Sequence, residues 1–243
     1  MSRLLRTERV RQTRGMREPG PETIPGLLTV AIERNADATW LHADDGTLSF
    51  GGAAAHVVRV AERLRDRGVR RGDLVIVTAR TTPSYVLCWL ALASMGAVAV
   101  ATDPAGTADE ISGLIRQVLP RVIVTDAAVR PLVVAACGQL AVEIVDLDSE
   151  LGDWTSESAV AAFPWNGSVT PDDLAVLIPT SGTTGKSKLV MQTHRAYAMA
   201  AVGFPYWMEL TAEDRLMTSL PLFHINAPAY SVLGSLAVGA GLV

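Results

Sequence analysis

Apolar and polar positions follow two periods along this chain, and each change of period predicts a new element. Thr23 is placed to cap a helix running to Asn35, with Pro25 in its first turn and Leu28, Ala31 and Ile32 on one face. Trp40–Ala43 and Leu48–Phe50 then flank Asp44-Asp45-Gly46-Thr47, a hairpin pattern. A second helix follows, with Ala53, Val57, Val60, Ala61 and Leu64 on its apolar side and Arg59, Glu62, Arg63 and Asp66 opposite. Gly68 is placed to end it in a left-handed conformation. Leu74–Thr78 is an unbroken apolar run, the pattern of a strand buried on both faces.

From there helix and strand patterns alternate. Pro83–Met95, Ala108–Leu119 and Ala127–Ala136 read as helices; Val98–Ala101, Arg121–Thr125 and Val142–Val145 read as strands. Such alternation predicts an α/β fold with mostly parallel sheets and helices on both faces. Tyr85–Ala101 is apolar but short for a membrane span, and Gly96 divides it into a buried helix and a strand. Residues 147–171 have no clear period and are expected to be a surface connection. Beyond them come an apolar stretch at Leu189–Thr193, a helix over His194–Trp207 and a strand over Arg215–Leu220. A turn at Pro221–Asn226, a helix through Leu236 and the start of a strand at Gly239–Val243 complete the chain. Finishing inside an apolar strand predicts a domain, over residues 18–243, that is truncated at its C-terminal end and leaves apolar sheet edge exposed.

The chain has 243 residues, of which 49% are hydrophobic and 19% charged, a balance that supports a packed core. Its net charge of −4 is uneven: residues 1–17 carry six arginines against Glu8, a net of +5, leaving −9 on the remainder. An acidic body argues against a nucleic-acid surface. The basic segment lacks the apolar core of a signal peptide and is expected to be a disordered tail, or a mis-assigned start with Met16 as the true beginning. Cys88 and Cys137 each sit in an apolar stretch without metal-ligand spacing, which predicts buried free thiols in a reducing, cytoplasmic setting.

The chemistry concentrates in Leu174–His194, LAVLIPTSGTTGKSKLVMQTH. Gly182 and Gly185 let backbone N–H groups turn toward an anion. Hydroxyls of Thr180, Ser181, Thr183, Thr184 and Ser187 add rotatable donors. Lys186 and Lys188 are the only two lysines in the chain, every other cation being arginine. A compact ammonium suits a phosphate as a point charge. A P-loop NTPase needs a glycine separated by four residues from Gly185-Lys186-Ser187, where this chain has Thr180, and a helix directly afterwards. Leu189 and Val190 suit a second strand instead, so the loop is expected to join two strands.

TSGTTGKSK at Thr180–Lys188 resembles the phosphate signature of the adenylate-forming (AMP-binding) superfamily, which includes acyl-CoA synthetases, peptide-synthetase adenylation domains and luciferases. Where that family has Pro-Lys-Gly this chain has Ser187-Lys188-Leu189, which makes Lys188 the motif lysine. LSFGGAAAHVVRVAERLRDRGVRRGDLVIV, WLALASMGAVAVATDP, QTHRAY and PLFHINA resemble further family segments in the same order. The resemblance implies ATP-dependent activation of a small-molecule carboxylic acid as acyl-AMP, with pyrophosphate released and the acyl group passed to a thiol, commonly coenzyme A. It assigns Thr180, Ser181, Gly182, Thr183, Thr184, Gly185 and Lys188 to the ATP phosphates, with Lys186 at a variable motif position. His224 becomes the catalytic candidate, near the acyl carboxylate and phosphate, and Phe223, His224, Asn226 and Ala227 border the acyl pocket. His42, His56 and His194 are expected to be structural.

Amino-acid-activating relatives carry an aspartate just after the equivalent phenylalanine; here His224 follows Phe223, and no acid occurs between Pro221 and Val243. An unpaired buried ammonium is costly, which favours an acid without an α-amino group. The family segment bringing the Mg²⁺ ligand, its ribose-binding aspartate and its small C-terminal domain would all lie beyond Val243. The chain is therefore expected to be the front part of an acid–CoA ligase, inactive alone. The alternatives are a nucleotide-binding remnant, a split subunit completed by another chain, and the P-loop NTPase.

Overall fold

The computed structural model describes residues 21–151, 154, 169–180 and 187–243. The basic segment and most of the connection before residue 169 lie outside the described residues.

Helix α1 (Ile24–Asn35) starts where Thr23 accepts a hydrogen bond from the Gly26 amide at 3.1 Å. A two-residue turn joins β1 (Thr39–Ala43) to β2 (Gly46–Ser49), and Ser49 then caps α2 (Phe50–Asp66) through the Gly52 amide. β3 (Leu74–Thr78), α3 (Pro83–Met95), β4 (Val98–Ala101), α4 (Ala108–Val118), β5 (Val122–Thr125), α5 (Arg130–Cys137) and β6 (Glu143–Asp146) follow in alternation. Gly96, at φ 70°, ends α3 by taking the left-handed conformation that a side chain would strain.

β7 (Leu174–Thr180) and β8 (Lys188–Thr193) complete a six-stranded sheet of order β6-β5-β3-β4-β7-β8, parallel except for the antiparallel β7–β8 pair. Its strands alternate strictly between two cores. Val75, Val77, Val122, Val124, Ala99 and Ala101 face the larger core, while Ile76, Ile123, Val98 and Val100 face the smaller one under α4 and α5. Burial on both faces is why these strands read as continuous apolar runs. Cys88 and Cys137 are both buried and free, and burial pushes the Cys88 thiol up to about 12.

Three expectations need correction. The helix predicted over Ala127–Ala136 begins at Arg130, because the Asp126 carboxylate accepts from the Ala128 and Val129 amides at 2.8 and 3.0 Å and holds that stretch as a turn. The strand predicted over Arg215–Leu220 is β9 (Arg215–Leu216) alone; past it, Thr218 makes one amide bond to the Val243 carbonyl and its hydroxyl turns to the Leu220 carbonyl. The helix after Asn226 opens as a π-turn at Ala227–Val232, with the Leu233 amide reaching back to the Pro228 carbonyl, before α7 (Leu233–Val238).

The final strand, β10 (Gly241–Leu242), is not an open edge. It is inserted between β1 and β9 in a second, four-stranded sheet of order β2-β1-β10-β9. The larger sheet ends in β6 on one side and β8 on the other, and on β8 Val190 is 41% and Met191 71% exposed.

α6 (His194–Met208) begins with a wholly buried histidine, as the structural reading of His194 requires. Its Nδ1 accepts from the Ile24 amide at 3.4 Å, joining α1 to α6, while Nε2 has no partner among the described residues. Burial lowers the imidazole pKa to about 4, against a smaller upward pull from Asp173. The unfolded chain therefore binds this proton more readily than the fold does. Stability from this group is complete above the ordinary histidine value and is lost as pH falls from about 6.5 toward 4, by about 3 kcal/mol at most. Urea unfolding is expected to show a falling midpoint over that window, flattened in His194→Asn; an identical pH slope in the variant would show that another group is responsible. Asp126, Asp146 and Asp173 have carboxyls held below their ordinary values, so their contributions are lost at lower pH.

Candidate nucleotide-phosphate site

β3, β4 and β7 run parallel, so their carboxyl ends share one edge of the larger sheet. In open α/β sheets ligands bind outside that edge. β7 ends there at Thr180, which is in register with Lys188 of β8, and the Thr180 hydroxyl donates to the Lys188 carbonyl at 3.3 Å. Residues 181–187 connect the two strands, and of these Ser181, Gly182, Thr183, Thr184, Gly185 and Lys186 lie outside the described residues. The setting is strand, loop, strand, as the sequence predicts. A strand immediately after the loop removes the helix N-terminus on which a P-loop NTPase depends.

At the mouth of this hairpin, Lys188 is exposed and, among the described residues, has no acidic partner. Thr180 is exposed beside it and offers a rotatable hydroxyl. Lysine plus hydroxyl is a donor set that fits a polyphosphate. An ammonium cannot ligate a magnesium ion, and no group of three or more His, Cys, Asp or Glu able to hold a metal occurs among the described residues.

The turn carrying His224 docks on the same sheet edge. The Leu222 amide donates to the Thr81 hydroxyl at 3.3 Å, and Thr81 lies in the connection just past β3. β3 and β7 are separated by β4 alone, about 10 Å across the sheet, so this turn and the loop mouth share one side. Within the turn the His224 amide bonds the Pro221 carbonyl at 3.1 Å, and the Phe223 and His224 rings lie 4.4 Å apart, tilted by 48°. His224 and Asn226 are exposed, Phe223 is half-buried against the larger core, and Ala227 is fully buried at the start of the π-turn. Ala227 therefore serves packing here and presents no surface of its own.

Two features of this edge escape a reading by residue type. Asp126, just past β5, accepts from the Arg80 amide and guanidinium at 2.8 and 3.0 Å, tying the connection after β3 to β5. Burial alone would raise its pKa, but the Arg80 and Val129 hydrogen bonds outweigh that and hold the carboxylate below its ordinary range. A lone acid directly after an apolar strand was the available signal for Asp126. Thr81, which seats the His224 turn, has no such signal. The described residues also form a groove of about 420 Å³ between α4 and α5, and none of the expected site residues lines it.

Comparison with known proteins agrees with this geometry. The family model described as AMP-binding enzyme matches residues 28–243. Rice (Oryza sativa subsp. japonica) 4-coumarate–CoA ligase 1 is 31% identical over 217 residues, which is 83% of this chain and 38% of that protein. Peroxisomal OPC-8:0-CoA ligase 1 of Arabidopsis thaliana is 29% identical over 195 residues, 77% of this chain and 36% of that protein. Among solved structures, the inhibitor-bound N-terminal domain of FACL13 from Mycobacterium tuberculosis superposes with a TM-score of 0.80 at 25% identity, over 90% of this chain and 56% of that one. The chain thus spans less than two fifths of the length of these plant relatives. The α/β architecture and the family match across most of the sequence together place the chain in the AMP-binding enzyme family.

Proposed function

We propose that the whole protein activates a carboxylic acid with ATP, forming an acyl adenylate and pyrophosphate, and then passes the acyl group to the thiol of coenzyme A. The observation that carries this reading is Lys188, exposed at the mouth of the Thr180–Lys188 hairpin and without an acidic partner among the described residues. Attack of a carboxylate on the ATP α-phosphate displaces pyrophosphate, and a fixed ammonium beside the leaving group stabilises the charge that develops there. Thr180, Ser181, Gly182, Thr183, Thr184, Gly185 and Lys188 are the groups proposed for this contact, with Lys186 secondary. His224 is proposed to face the acyl carboxylate, with Phe223 and Asn226 beside it.

Two features support an acid without an α-amino group. Relatives named as CoA ligases for coumarate and OPC-8:0 match most of this chain. No acid occurs between Pro221 and Val243 to pair with an ammonium. The Mg²⁺ that such chemistry uses would be held by residues outside this sequence. Residues 18–243 are proposed to be part of the AMP-binding domain, preceded by a basic tail.

Acid-dependent exchange of labelled pyrophosphate into ATP by the whole protein tests the activity, and release of orthophosphate instead would exclude it. Residues 1–243 alone are expected to give no measurable exchange. Exchange by that chain, abolished in Lys188→Ala, would contradict the expectation.

A further inference from the structure

Two side chains hold the backbone on either side of Lys188. From within the hairpin, Thr180 Oγ1 donates to the Lys188 carbonyl at 3.3 Å. From outside it, Gln117 Nε2 on α4 donates to the Ser187 carbonyl at 3.0 Å. The Ser187 carbonyl belongs to the peptide unit that enters Lys188, and the Lys188 carbonyl to the unit that leaves it. Each peptide unit is planar, so holding both fixes the two soft torsions of Lys188 and the direction of its Cα–Cβ bond.

We infer that Gln117 is a positioning residue, which aims the Lys188 ammonium at the phosphates by clamping the Ser187 carbonyl. The inference rests on the reading of Lys188 as a phosphate-binding lysine. α4 is a firm anchor for such a clamp. Thr107 and Glu110 form a reciprocal cap at its start, and Ile111, Leu114, Ile115 and Val118 are buried in the smaller core. Leu189, directly after Lys188, packs against the same cluster, so the residues on both sides of Lys188 are referred to one core. Local sequence explains why a clamp is useful here. A proline before the lysine would fix its own φ, whereas Ser187 leaves that freedom to be lost when the loop is ordered. A hydrogen bond from a neighbouring helix supplies the missing restraint.

The chain offers an unusually clean reporter. A lysine-specific protease has two targets in it, Lys186 and Lys188, so cutting of the Lys188–Leu189 bond can be followed alone by mass spectrometry. Gln117 is exposed, so Gln117→Met and the isosteric Gln117→Glu remove the donor without disturbing the core. Gln117→Met is expected to speed that cut about threefold and to raise the pyrophosphate concentration needed for protection by a similar factor. Gln117→Glu, which turns an acceptor toward the Ser187 carbonyl, is expected to do more. Both should melt at the wild-type temperature, so a changed protection by pyrophosphate is a readout that a merely structural contact would not move. If pyrophosphate protects the wild type and both variants equally, Gln117 does not position Lys188. If it fails to protect the wild type, the phosphate reading and this inference fall together.

Discussion

Trp40→Ala is expected to destabilise the fold by about 4 kcal/mol, the largest effect of any single substitution considered. Trp40 is fully buried on β1, and its indole Nε1 donates to Ser235 Oγ on α7 at 2.8 Å. Ser235 Oγ passes its own proton to the Val232 carbonyl, also at 2.8 Å, so the indole is fixed to the last residue of the π-turn. Its ring stacks on Phe50 at 6.0 Å, which docks the N-terminal hairpin on α2. Truncation removes a large apolar side chain and leaves a cavity among groups from distant parts of the sequence. A typical domain has only about 5–15 kcal/mol in hand, so the loss should be plain in urea unfolding. Trp40→Phe keeps most of the apolar surface and is expected to cost about 1–2 kcal/mol, chiefly the hydrogen bond. The consequence reaches the site, because the π-turn continues directly from the turn bearing His224. A cost below about 1 kcal/mol for Trp40→Ala would mean that the hairpin is not docked through this residue.

Lys188→Ala is expected to weaken pyrophosphate binding by roughly 10- to 100-fold while leaving the fold intact. A hydrogen bond to a charged group contributes about 1.5–3 kcal/mol, and each 1.4 kcal/mol is about tenfold in affinity. Stability should be unaffected because the side chain is exposed and has no acidic partner among the described residues. Lys186→Ala, at the variable motif position, is expected to change affinity less. An equal loss from both substitutions would place the binding charge on the loop as a whole rather than on Lys188.

Much of the fold was legible because its signals are local. The cap at Thr23 and the left-handed Gly68 fall where sequence spacing puts them, and the unbroken runs around Ile76 and Ile123 follow from burial on two faces. Each strand of the second sheet was expected, but their pairing into one sheet was not legible. β9 and β10 are two residues each, and β10 reaches its place through a partner, Leu41, some 200 residues earlier. Nothing in so short a strand names its partner. The late start of α5 has a nearby cause, Asp126, but it is a side-chain effect that overrides a good helical pattern.

The site divides in the same way. Thr180, Lys188 and His224 announced themselves through residue type within short motifs. Thr81 and Gln117 did not, because each acts on a segment 141 and 70 residues away, respectively, through a single hydrogen bond. An exposed glutamine near a helix end carries no signal until its partner is seen.

Calorimetric titration of inorganic pyrophosphate into the chain, at low ionic strength where a charge contact is least screened, addresses the central claim most directly. The account predicts saturable binding by the wild type and binding at least about tenfold weaker in Lys188→Ala. Equal affinity in the two proteins, or no saturation in the wild type, would contradict it.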